Sequence, residues 1–289
     1  MNTLVTGSEG FIGKHLVSSL KEKEASVEEI DIKKGIDLTN WEQLHDFIKN
    51  TARIDVLFHL AAIVFIPYSF KNPRTTYTTN IVGTLNMLEI ARTLDIKKFV
   101  FASTYVYGWP QYLPIDENHP IQAISPYNQS KILGEELCNG YHNDYGLKCI
   151  ILRPFNIYGT GQNKDFLIPS IIAQLPSKKI TLENPKPMRD YVYIDDVVSA
   201  YIKAATYDAK GIEIFNIGAG VSYSVKEIAD KIISLSQNKE ATVSYTYKTR
   251  ENEIMNIVAD IQKAKEKMKW QPTIDIDSGL SKLLKEADL

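Results

Sequence analysis

Tyr127 and Lys131 are the two side chains whose types and spacing most directly predict chemistry. They lie one helical turn apart, and Pro126 before them fits the first turn of a helix, so the phenol and the ammonium can face one site. Ionising half of a phenol at pH 7 requires lowering its pKa by about 3 units, or about 4 kcal/mol. An ammonium ~6 Å away supplies about 3 kcal/mol at an effective dielectric constant of ~20. We expect Lys131 to tune Tyr127 as an acid–base group; the alternative is an exposed ring beside a solvated lysine.

A glycine-rich stretch over residues 7–13 predicts a phosphate-binding turn. It follows an apolar run and opens a helical pattern, and its glycines allow backbone N–H groups to approach a pyrophosphate at the positive end of a helix. Asp31 ends the second predicted strand, where a carboxylate can accept hydrogen bonds from the ribose of a dinucleotide. Its negative charge favours NAD, while Lys33 and Lys34 leave NADP as an alternative. Without a ligand, the same glycines would form an ordinary turn.

Ser103 stands at the carboxyl end of the fourth predicted strand and opens a segment that reads Ser-Thr-Tyr-Val-Tyr-Gly. Ligands of open α/β sheets bind beyond the carboxyl ends of the strands, so we expect Ser103 to share a crevice with Tyr127. A hydroxyl there can bond a substrate oxygen. The alternative is a serine that only caps the strand end.

The elements that must position these residues alternate between short apolar runs and longer helical patterns, an order typical of parallel strands joined by crossover helices. The predicted strands cover residues 3–6, 26–31, 56–60, 98–103, 149–153 and 214–217. The predicted helices cover residues 10–23, 41–49, 77–94, 126–145, 166–175, 195–205 and 225–235. The sequence therefore predicts an α/β fold, a doubly wound parallel sheet of the Rossmann type with a smaller C-terminal substrate-binding lobe.

The boundary between the two parts falls where the alternation loosens. After Gly161, three prolines between residues 176 and 187 bracket a segment that cannot be a regular crossover. We assign residues 1–165 and 189–220 to a cofactor-binding domain, and residues 166–188 and 221–289 to the substrate lobe.

Composition and charge exclude several classes of protein. The chain has 289 residues, 44% hydrophobic and 24% charged, which is enough to bury a core and unlike a disordered or fibrous chain. Its net charge is -2 and it has no long basic tract, so we expect no nucleic-acid partner. Cys138 and Cys149 are too few for a disulfide scaffold, and the histidines lack metal-ligand spacing, so we propose no metal. No signal peptide or apolar run of ~18 residues is visible, and we expect a cytoplasmic protein with no membrane partner.

Eight matching stretches, in family order along nearly the whole chain, carry a resemblance to a known family. They are residues 6–13 (TGSEGFIG), 59–62 (HLAA), 80–84 (NIVGT), 103–108 (STYVYG), Tyr127 with Lys131, 153–159 (RPFNIYG), 189–196 (RDYVYIDD) and 215–218 (FNIG). The chain resembles an extended short-chain dehydrogenase/reductase of the NAD-dependent nucleotide-sugar epimerase/dehydratase family.

The resemblance implies a role for each matching position. The cofactor would contact Gly7, Gly10, Phe11, Ile12, Gly13, Asp31, Asp37, Leu38, Leu60, Ala61, Ala62, Asn80, Tyr127 and Lys131. Tyr127 would exchange a proton with a sugar hydroxyl, Ser103 would share that hydrogen bond, and Lys131 would hold the nicotinamide ribose. The nucleotide-diphosphate sugar would contact Ser69, Ser103, Thr104, Asn156, Arg189 and Arg250, since bidentate guanidinium groups suit a diphosphate.

Departures from the family pattern reduce the number of reactions that the chain is expected to catalyse. Family 4,6-dehydratases carry Asp-Glu directly after the active-site hydroxyl, where this chain has Thr104 and Tyr105, so we expect no dehydratase. The favoured interpretation is an NAD-dependent nucleotide-diphosphate-sugar 4-epimerase, as in the enzymes acting on UDP-glucose or UDP-GlcNAc. The alternative is an NAD(P)H-dependent reductase of 4-keto-6-deoxy nucleotide sugars, which the short segment from Gly161 to Arg189 favours. A third interpretation is a regulatory protein that binds the cofactor without catalysis, and the intact Ser103, Tyr127 and Lys131 argue against it.

Family members commonly form dimers through the helices that begin near Tyr77 and Pro126. We expect a homodimer here. The apolar residues that could form that face, or alternatively belong to the core, are Leu85, Leu88, Leu133 and Leu137.

Overall fold

The computed structural model describes residues 1–49, 51–248 and 253–289. Its strands are β1 Asn2–Thr6, β2 Ser26–Ile30, β3 Val56–His59, β4 Lys98–Ala102, β5 Cys149–Pro154, β6 Asn156–Tyr158, β7 Lys179–Leu182, β8 Met188–Tyr193, β9 Ile212–Ile217, β10 Ser222–Ser224 and β11 Thr242–Tyr245. Its α-helices are α1 Phe11–Glu22, α2 Trp41–Lys49, α3 Ile66–Lys71, α4 Pro73–Tyr77, α5 Gly83–Thr93, α6 Pro126–Tyr145, α7 Leu167–Gln174, α8 Ile194–Thr206, α9 Val225–Leu235 and α10 Ile276–Glu286.

A six-stranded parallel sheet in the order β2-β1-β3-β4-β5-β9 forms the centre of the fold. Helices α1 and α8 bury their apolar residues on one face of this sheet, and α2, α5 and α6 bury theirs on the other. Because both faces are covered, β3 and β5 are buried along their whole length, as their mainly apolar sequences predict. All six predicted strands belong to this sheet, and the predicted fold class is confirmed.

Helix α6 has clear start and stop signals in the sequence. The Ser125 hydroxyl caps the helix by accepting the Asn128 N–H at 3.1 Å, and Pro126 occupies the first turn, where its missing N–H costs no hydrogen bond. Gly146 ends the helix with a left-handed φ of +71°. These signals explain why the predicted and observed boundaries of α6 coincide.

The C-terminal part of the chain contains two small sheets that were not predicted. One has the order β10-β8-β6, and the other pairs β11 with β7. Strand β8 lies within the predicted cofactor domain, but it pairs with β6 and β10 and not with the six-stranded sheet. A single apolar core runs from α1 and α8 into α9 and α10, so the two parts share one core.

The segment predicted as one helix over residues 77–94 is interrupted. Helix α4 passes through a π-helical turn over Thr78–Val82 before α5 begins at Gly83. Within the proposed dimer face, Leu88 is fully buried and belongs to the core, whereas Leu85 and Leu133 are 39% and 37% exposed.

No helix in the described ranges combines the length and the apolar character needed to cross a membrane.

Candidate active site

The turn between β1 and α1 is too tight for any residue larger than glycine at two positions. Gly7 has a φ of +71°, and a Cβ there would lie 2.7 Å from the backbone nitrogen of Ala61. A Cβ on Gly13 would lie 2.0 Å from the carbonyl oxygen of Gly7. The two glycines therefore let β1, α1 and the segment after β3 approach one another closely.

The same turn provides hydrogen-bond donors for an anion. Gly10 precedes α1, so the N–H groups of the first helical turn, which includes Phe11 and Ile12, have no partner within the helix. The Ser8 hydroxyl is buried and has no hydrogen-bond partner among the described residues. A dinucleotide pyrophosphate fits this combination of helix N-terminus, close backbone and unpaired hydroxyl.

Asp31 follows β2 and lies beside this turn. Its two carboxylate oxygens accept the N–H groups of Glu9, at 3.0 Å, and Lys33, at 2.8 Å. These bonds fix the carboxylate at the strand end where a ribose hydroxyl is expected. The nearby ammonium of Lys34 is paired with Glu29 at 2.5 Å and with Glu9 at 3.7 Å, so its charge is largely compensated.

The residues that follow β3 form the next part of the cleft. Leu60, Ala61 and Ala62 are half-buried beside the glycine turn. His59 before them is fully buried between the hydroxyls of Thr6 and Thr84, at 2.8 and 2.9 Å. Burial, with a smaller contribution from the charge of Lys131, lowers the pKa of His59 to about 3, so this histidine is neutral and structural.

Asn80 holds the segment after β3 in place. Its side-chain oxygen accepts the Ile63 N–H at 2.8 Å, and its amide nitrogen donates to the Ile63 carbonyl at 3.0 Å and to the Ser130 hydroxyl at 2.8 Å. Both amide donors are therefore used within the protein. By bonding the backbone of Ile63, the Asn80 side chain positions the segment after β3 that we expect to contact the cofactor.

Asp37 and Leu38 lie between β2 and α2. The Asp37 carboxylate accepts the backbone and side-chain donors of Thr39, both at 2.8 Å. Leu38 is buried, and its carbonyl accepts the side-chain amide of Asn86 at 2.7 Å. These hydrogen bonds hold Asp37 and Leu38 in place, so the two residues can form a surface against which a flat ring of the cofactor would pack.

Tyr127 and Lys131 lie on one face of α6 and are 9% and 3% exposed. The Lys131 ammonium donates to the Ala102 carbonyl at 2.6 Å and lies 4.8 Å from the centre of the Phe101 ring. Burial raises the pKa of Tyr127 to about 12 and lowers the pKa of Lys131 to about 8. In the protein without a bound cofactor, burial therefore holds the Tyr127 phenol in its protonated form at neutral pH.

Two adjacent hydroxyls after β4 have opposite surroundings. The Thr104 side chain hydrogen-bonds Tyr127, which partly offsets the rise of the Tyr127 pKa caused by burial. Ser103 is buried and donates to Glu135 Oε1 at 2.5 Å. We assigned Ser103 as the catalytic hydroxyl and Thr104 to the substrate, and in the structure Thr104 is the hydroxyl that contacts Tyr127.

A buried ion pair behind Ser103 was missed by sequence reasoning. Arg153 donates to the two oxygens of Glu135 at 2.5 and 2.9 Å, and their side chains are only 1% and 5% exposed. The third guanidinium nitrogen of Arg153, Nη1, donates to the Tyr107 hydroxyl at 3.0 Å. A signal was present in the sequence, because Glu135 follows Lys131 by one more helical turn on the same face of α6.

The substrate side of the cleft contains an unpaired polar atom. Asn156 begins β6, and its buried side-chain oxygen has no hydrogen-bond partner among the described residues. Asn156 lies opposite Tyr191 on β8, and Arg189 is two residues earlier on that strand, so both extend from one small sheet. Arg189 Nη1 donates to the carbonyls of Met188 and Ile254, both at 2.8 Å.

Two other predicted substrate residues are not brought into this group. Ser69 is fully buried in α3 and donates to the Ile66 carbonyl at 2.7 Å, so its hydroxyl is used within the helix. Arg250 lies outside the described residues. In the parts of the chain that the structure describes, no three His, Cys, Asp or Glu side chains are arranged to hold a metal ion.

The model of the NAD dependent epimerase/dehydratase family matches residues 3–218, which include the glycine turn, the Tyr127 helix and β9. The chain belongs to this family. A relative from Methanocaldococcus jannaschii, a putative UDP-glucose 4-epimerase, is 36% identical over 97% of this chain and 96% of its own length. The crystal structure of UDP-glucose 4-epimerase from Thermotoga maritima with UDP-glucose superimposes with a TM-score of 0.93 and 28% identity, covering 100% and 99% of the two chains.

Family membership identifies the protein as an NAD-dependent enzyme that modifies sugars, and its glycine turn fits that cofactor. The family includes different reactions on this fold. An NAD-dependent NDP-hexosamine 5,6-dehydratase of tunicamycin biosynthesis superimposes with a TM-score of 0.87 and 26% identity, covering 100% and 98% of the two chains. The reaction must therefore be argued from the residues of the site.

Proposed function

We propose that this protein is an NAD-dependent 4-epimerase of nucleotide-diphosphate sugars. The observation that supports this most directly is the Tyr127–Thr104 hydroxyl pair, one helical turn from the Lys131 ammonium, at the carboxyl end of β4. These groups can exchange one proton at one sugar oxygen. They do not include the carboxylate pair that water elimination requires.

The residues act on the C4 hydroxyl in a definite order. When bound, NAD supplies the acceptor and donor of the C4 hydride. Tyr127 takes the proton of the C4 hydroxyl while Thr104 holds the same oxygen by a hydrogen bond. The resulting ketone then rotates so that its opposite face receives the hydride, and Tyr127 returns the proton to the oxygen. Since burial raises the pKa of Tyr127 to about 12, its base form requires positive charge nearby when the cofactor and substrate are bound, and we assign part of that role to Lys131, one helical turn away.

The surroundings of Tyr127 argue against a 4,6-dehydratase. The positions where that reaction has its carboxylates carry Thr104 and Tyr105. Glu135 is the carboxylate behind Ser103, and it is neutralised by Arg153 and buried on the core side. A carboxylate bound in this way is a poor general acid or base for a sugar in the cleft.

The ribose side of the site supports NAD over NADP. The Asp31 carboxylate would repel a 2′-phosphate at the end of β2. The ammonium of Lys34, which could have attracted that phosphate, is engaged by Glu29 and Glu9.

We assign Asn156, Arg189 and Arg250 to the diphosphate of the substrate. A UDP-hexose is the first candidate substrate, because relatives of this chain are named for UDP-glucose.

We further propose a cytoplasmic homodimer that packs α5 and α6 of each copy, in which Leu85 and Leu133 become buried. Light scattering of the wild-type protein and of a Leu85→Lys variant tests the dimer, since only the wild type should show twice the monomer mass.

One experiment separates the proposed reaction from its alternative. Purified protein incubated with UDP-glucose or UDP-GlcNAc and catalytic NAD should form the 4-epimer without net change in the absorbance of reduced cofactor. Tyr127→Phe should lower turnover by about 10²- to 10⁴-fold while leaving NAD binding unchanged. Oxidation of NAD(P)H with a 4-keto-6-deoxy nucleotide sugar, without epimer formation, would instead assign the reductase activity that the short lobe between Gly161 and Arg189 favours.

A further inference from the structure

Asp190 is a fully buried carboxylate that the proposed mechanism leaves without a role. It lies in β8 directly after Arg189 and is 0% exposed. Its Oδ1 accepts the N–H of Ala219 at 2.6 Å, and its Oδ2 accepts the N–H groups of Gly220 at 2.9 Å and Ala259 at 3.0 Å. Both carboxylate oxygens are therefore needed to satisfy these backbone donors.

These hydrogen bonds join β8 to two stretches that are distant in the sequence. One is the loop after β9, and the other is the stretch of residues 254–259 (the 254–259 segment). The contact is tight, because a Cβ on Gly218 would lie 2.8 Å from Asp190 Oδ2 and 2.6 Å from the Cβ of Ala259. The carboxylate thus fixes one end of the 254–259 segment against β8, with little room for either to shift.

The other end of the 254–259 segment holds the guanidinium of Arg189. Arg189 Nη1 donates to the carbonyls of Ile254 and Met188, both at 2.8 Å. The Met188 N–H donates to the Met255 carbonyl, also at 2.8 Å. Within the described parts of the chain, Arg189 Nε and Nη2 make no hydrogen bond, so two of the guanidinium nitrogens remain available to an anion such as a diphosphate.

We propose that Asp190 is a positioning residue that, through the 254–259 segment, holds the Arg189 guanidinium in place for the substrate diphosphate. Neighbouring side chains of a strand point to opposite faces, so the Asp190 carboxylate and the Arg189 guanidinium lie on different faces of β8. The effect therefore passes from the Ala259 N–H along the segment to the Ile254 carbonyl. This inference rests on the proposed function for the assignment of Arg189 to the diphosphate.

The test measures the Kd of UDP for the protein with bound NAD, since UDP carries the diphosphate and undergoes no reaction. Asp190→Asn keeps the shape of the side chain but replaces one acceptor oxygen with a donor. Asp196→Asn is the matched control. Asp196 is 2% exposed and likewise accepts backbone donors, the N–H groups of Thr273 and Ile274, together with the Thr273 hydroxyl, but it lies in the first turn of α8.

Asp190→Asn should raise the Kd of UDP about 10-fold by displacing the guanidinium, while Asp196→Asn should change it less than about 2-fold. Both variants lose a comparable buried interaction, so both should lower the urea midpoint of unfolding. If Asp190→Asn does not fold, Ala259→Pro is used instead, because proline removes the N–H that Asp190 Oδ2 accepts. A Kd of UDP equal to that of the control variant, or no UDP binding by wild type, would overturn the proposal.

A double-mutant cycle shows whether Asp190 acts through Arg189. Arg189→Met alone should raise the Kd of UDP about 10-fold or more, because it removes charged hydrogen bonds to the diphosphate. Adding Asp190→Asn should raise it less than about 2-fold further, because the guanidinium that Asp190 positions is already absent. A purely structural role would make the two effects multiply, and that result would contradict the proposal.

The UDP measurement separates this proposal from the 4-epimerase proposal. If the cycle shows coupling while wild type forms no epimer from UDP-glucose, Asp190 is a positioning residue and the 4-epimerase proposal is wrong. If epimer forms but Asp190→Asn binds UDP as wild type does, the Asp190 proposal is wrong and the 4-epimerase proposal stands.

Discussion

One face of helix α6 carries titratable side chains at two places, an end towards the cleft (the cleft side) and an end towards the core (the core side), and they serve different purposes. Tyr127, Lys131 and Glu135 follow one another at intervals of one helical turn. At the cleft end, the Tyr127 phenol hydrogen-bonds Thr104 and can still exchange its proton. At the core end, the Glu135 carboxylate is fully paired with Arg153 and Ser103. A polar group becomes available for chemistry when it is only partly satisfied, and structural when every partner is present.

The largest effect should come from breaking the core side. Arg153→Leu leaves the buried Glu135 charge without its partner, and we expect a loss of about 3–5 kcal/mol in the free energy of unfolding, measured with urea. Arg92→Leu, which removes an exposed pair with Glu89, should cost about 1 kcal/mol or less. Adding Glu135→Leu to Arg153→Leu should recover much of the loss. Equal losses of stability in Arg153→Leu and Arg92→Leu would show that the buried Glu135–Arg153 pair contributes no more than an exposed pair, and would contradict its structural role.

Breaking the cleft side should affect turnover and leave stability nearly unchanged. Thr104→Val keeps the shape of the side chain and removes the hydroxyl at Tyr127, so kcat should fall about 10- to 100-fold, with a change of less than about 1 kcal/mol in the free energy of unfolding. Thr104→Ser restores the hydroxyl and should restore most of the turnover. A Thr104→Val enzyme with wild-type kcat would return the catalytic role to Ser103.

The buried His59 at the end of β3 should make the free energy of unfolding depend on pH. The folded-state pKa of His59 is about 3, below its value in the unfolded chain, so the unfolded state binds one more proton between about pH 6.5 and pH 3. Stability due to this group is complete above about pH 6.5 and should fall by about 1.4 kcal/mol for each pH unit below it. Urea unfolding at pH 7, 6 and 5 measures the slope, and NMR should show an unprotonated His59 ring at pH 5. A protonated ring in the folded protein at pH 5 would refute this assignment.

The smallest effect should come from Ser103. Ser103→Ala removes one hydrogen bond to Glu135, which keeps its two bonds to Arg153, so the expected loss is about 1 kcal/mol of stability. Its kcat should stay within about 3-fold of wild type. A fall comparable to that of Thr104→Val would show that both hydroxyls serve the reaction.

Local sequence patterns determined the elements and most of the cofactor side. Short runs rich in apolar and β-branched residues placed all six strands of the main sheet, and several of them are apolar nearly throughout because the sheet is covered on both faces. The cap at Ser125, the proline at 126 and the glycine at 146 placed both ends of α6. Gly7 and Gly13 marked the phosphate turn, since only glycine tolerates such close backbone contact.

Contacts between residues far apart in the chain were decided only by the tertiary structure. Whether Ser103 or Thr104 faces Tyr127 depends on the direction of the backbone after β4 and on which side Glu135 and Arg153 occupy. The pKa of Tyr127 depends on how deeply the fold buries it, which the spacing to Lys131 does not encode. The position of β8 outside the main sheet and of Tyr105 against Phe155 likewise follows from packing, because pairing partners and burial are set by the whole chain and not by local composition.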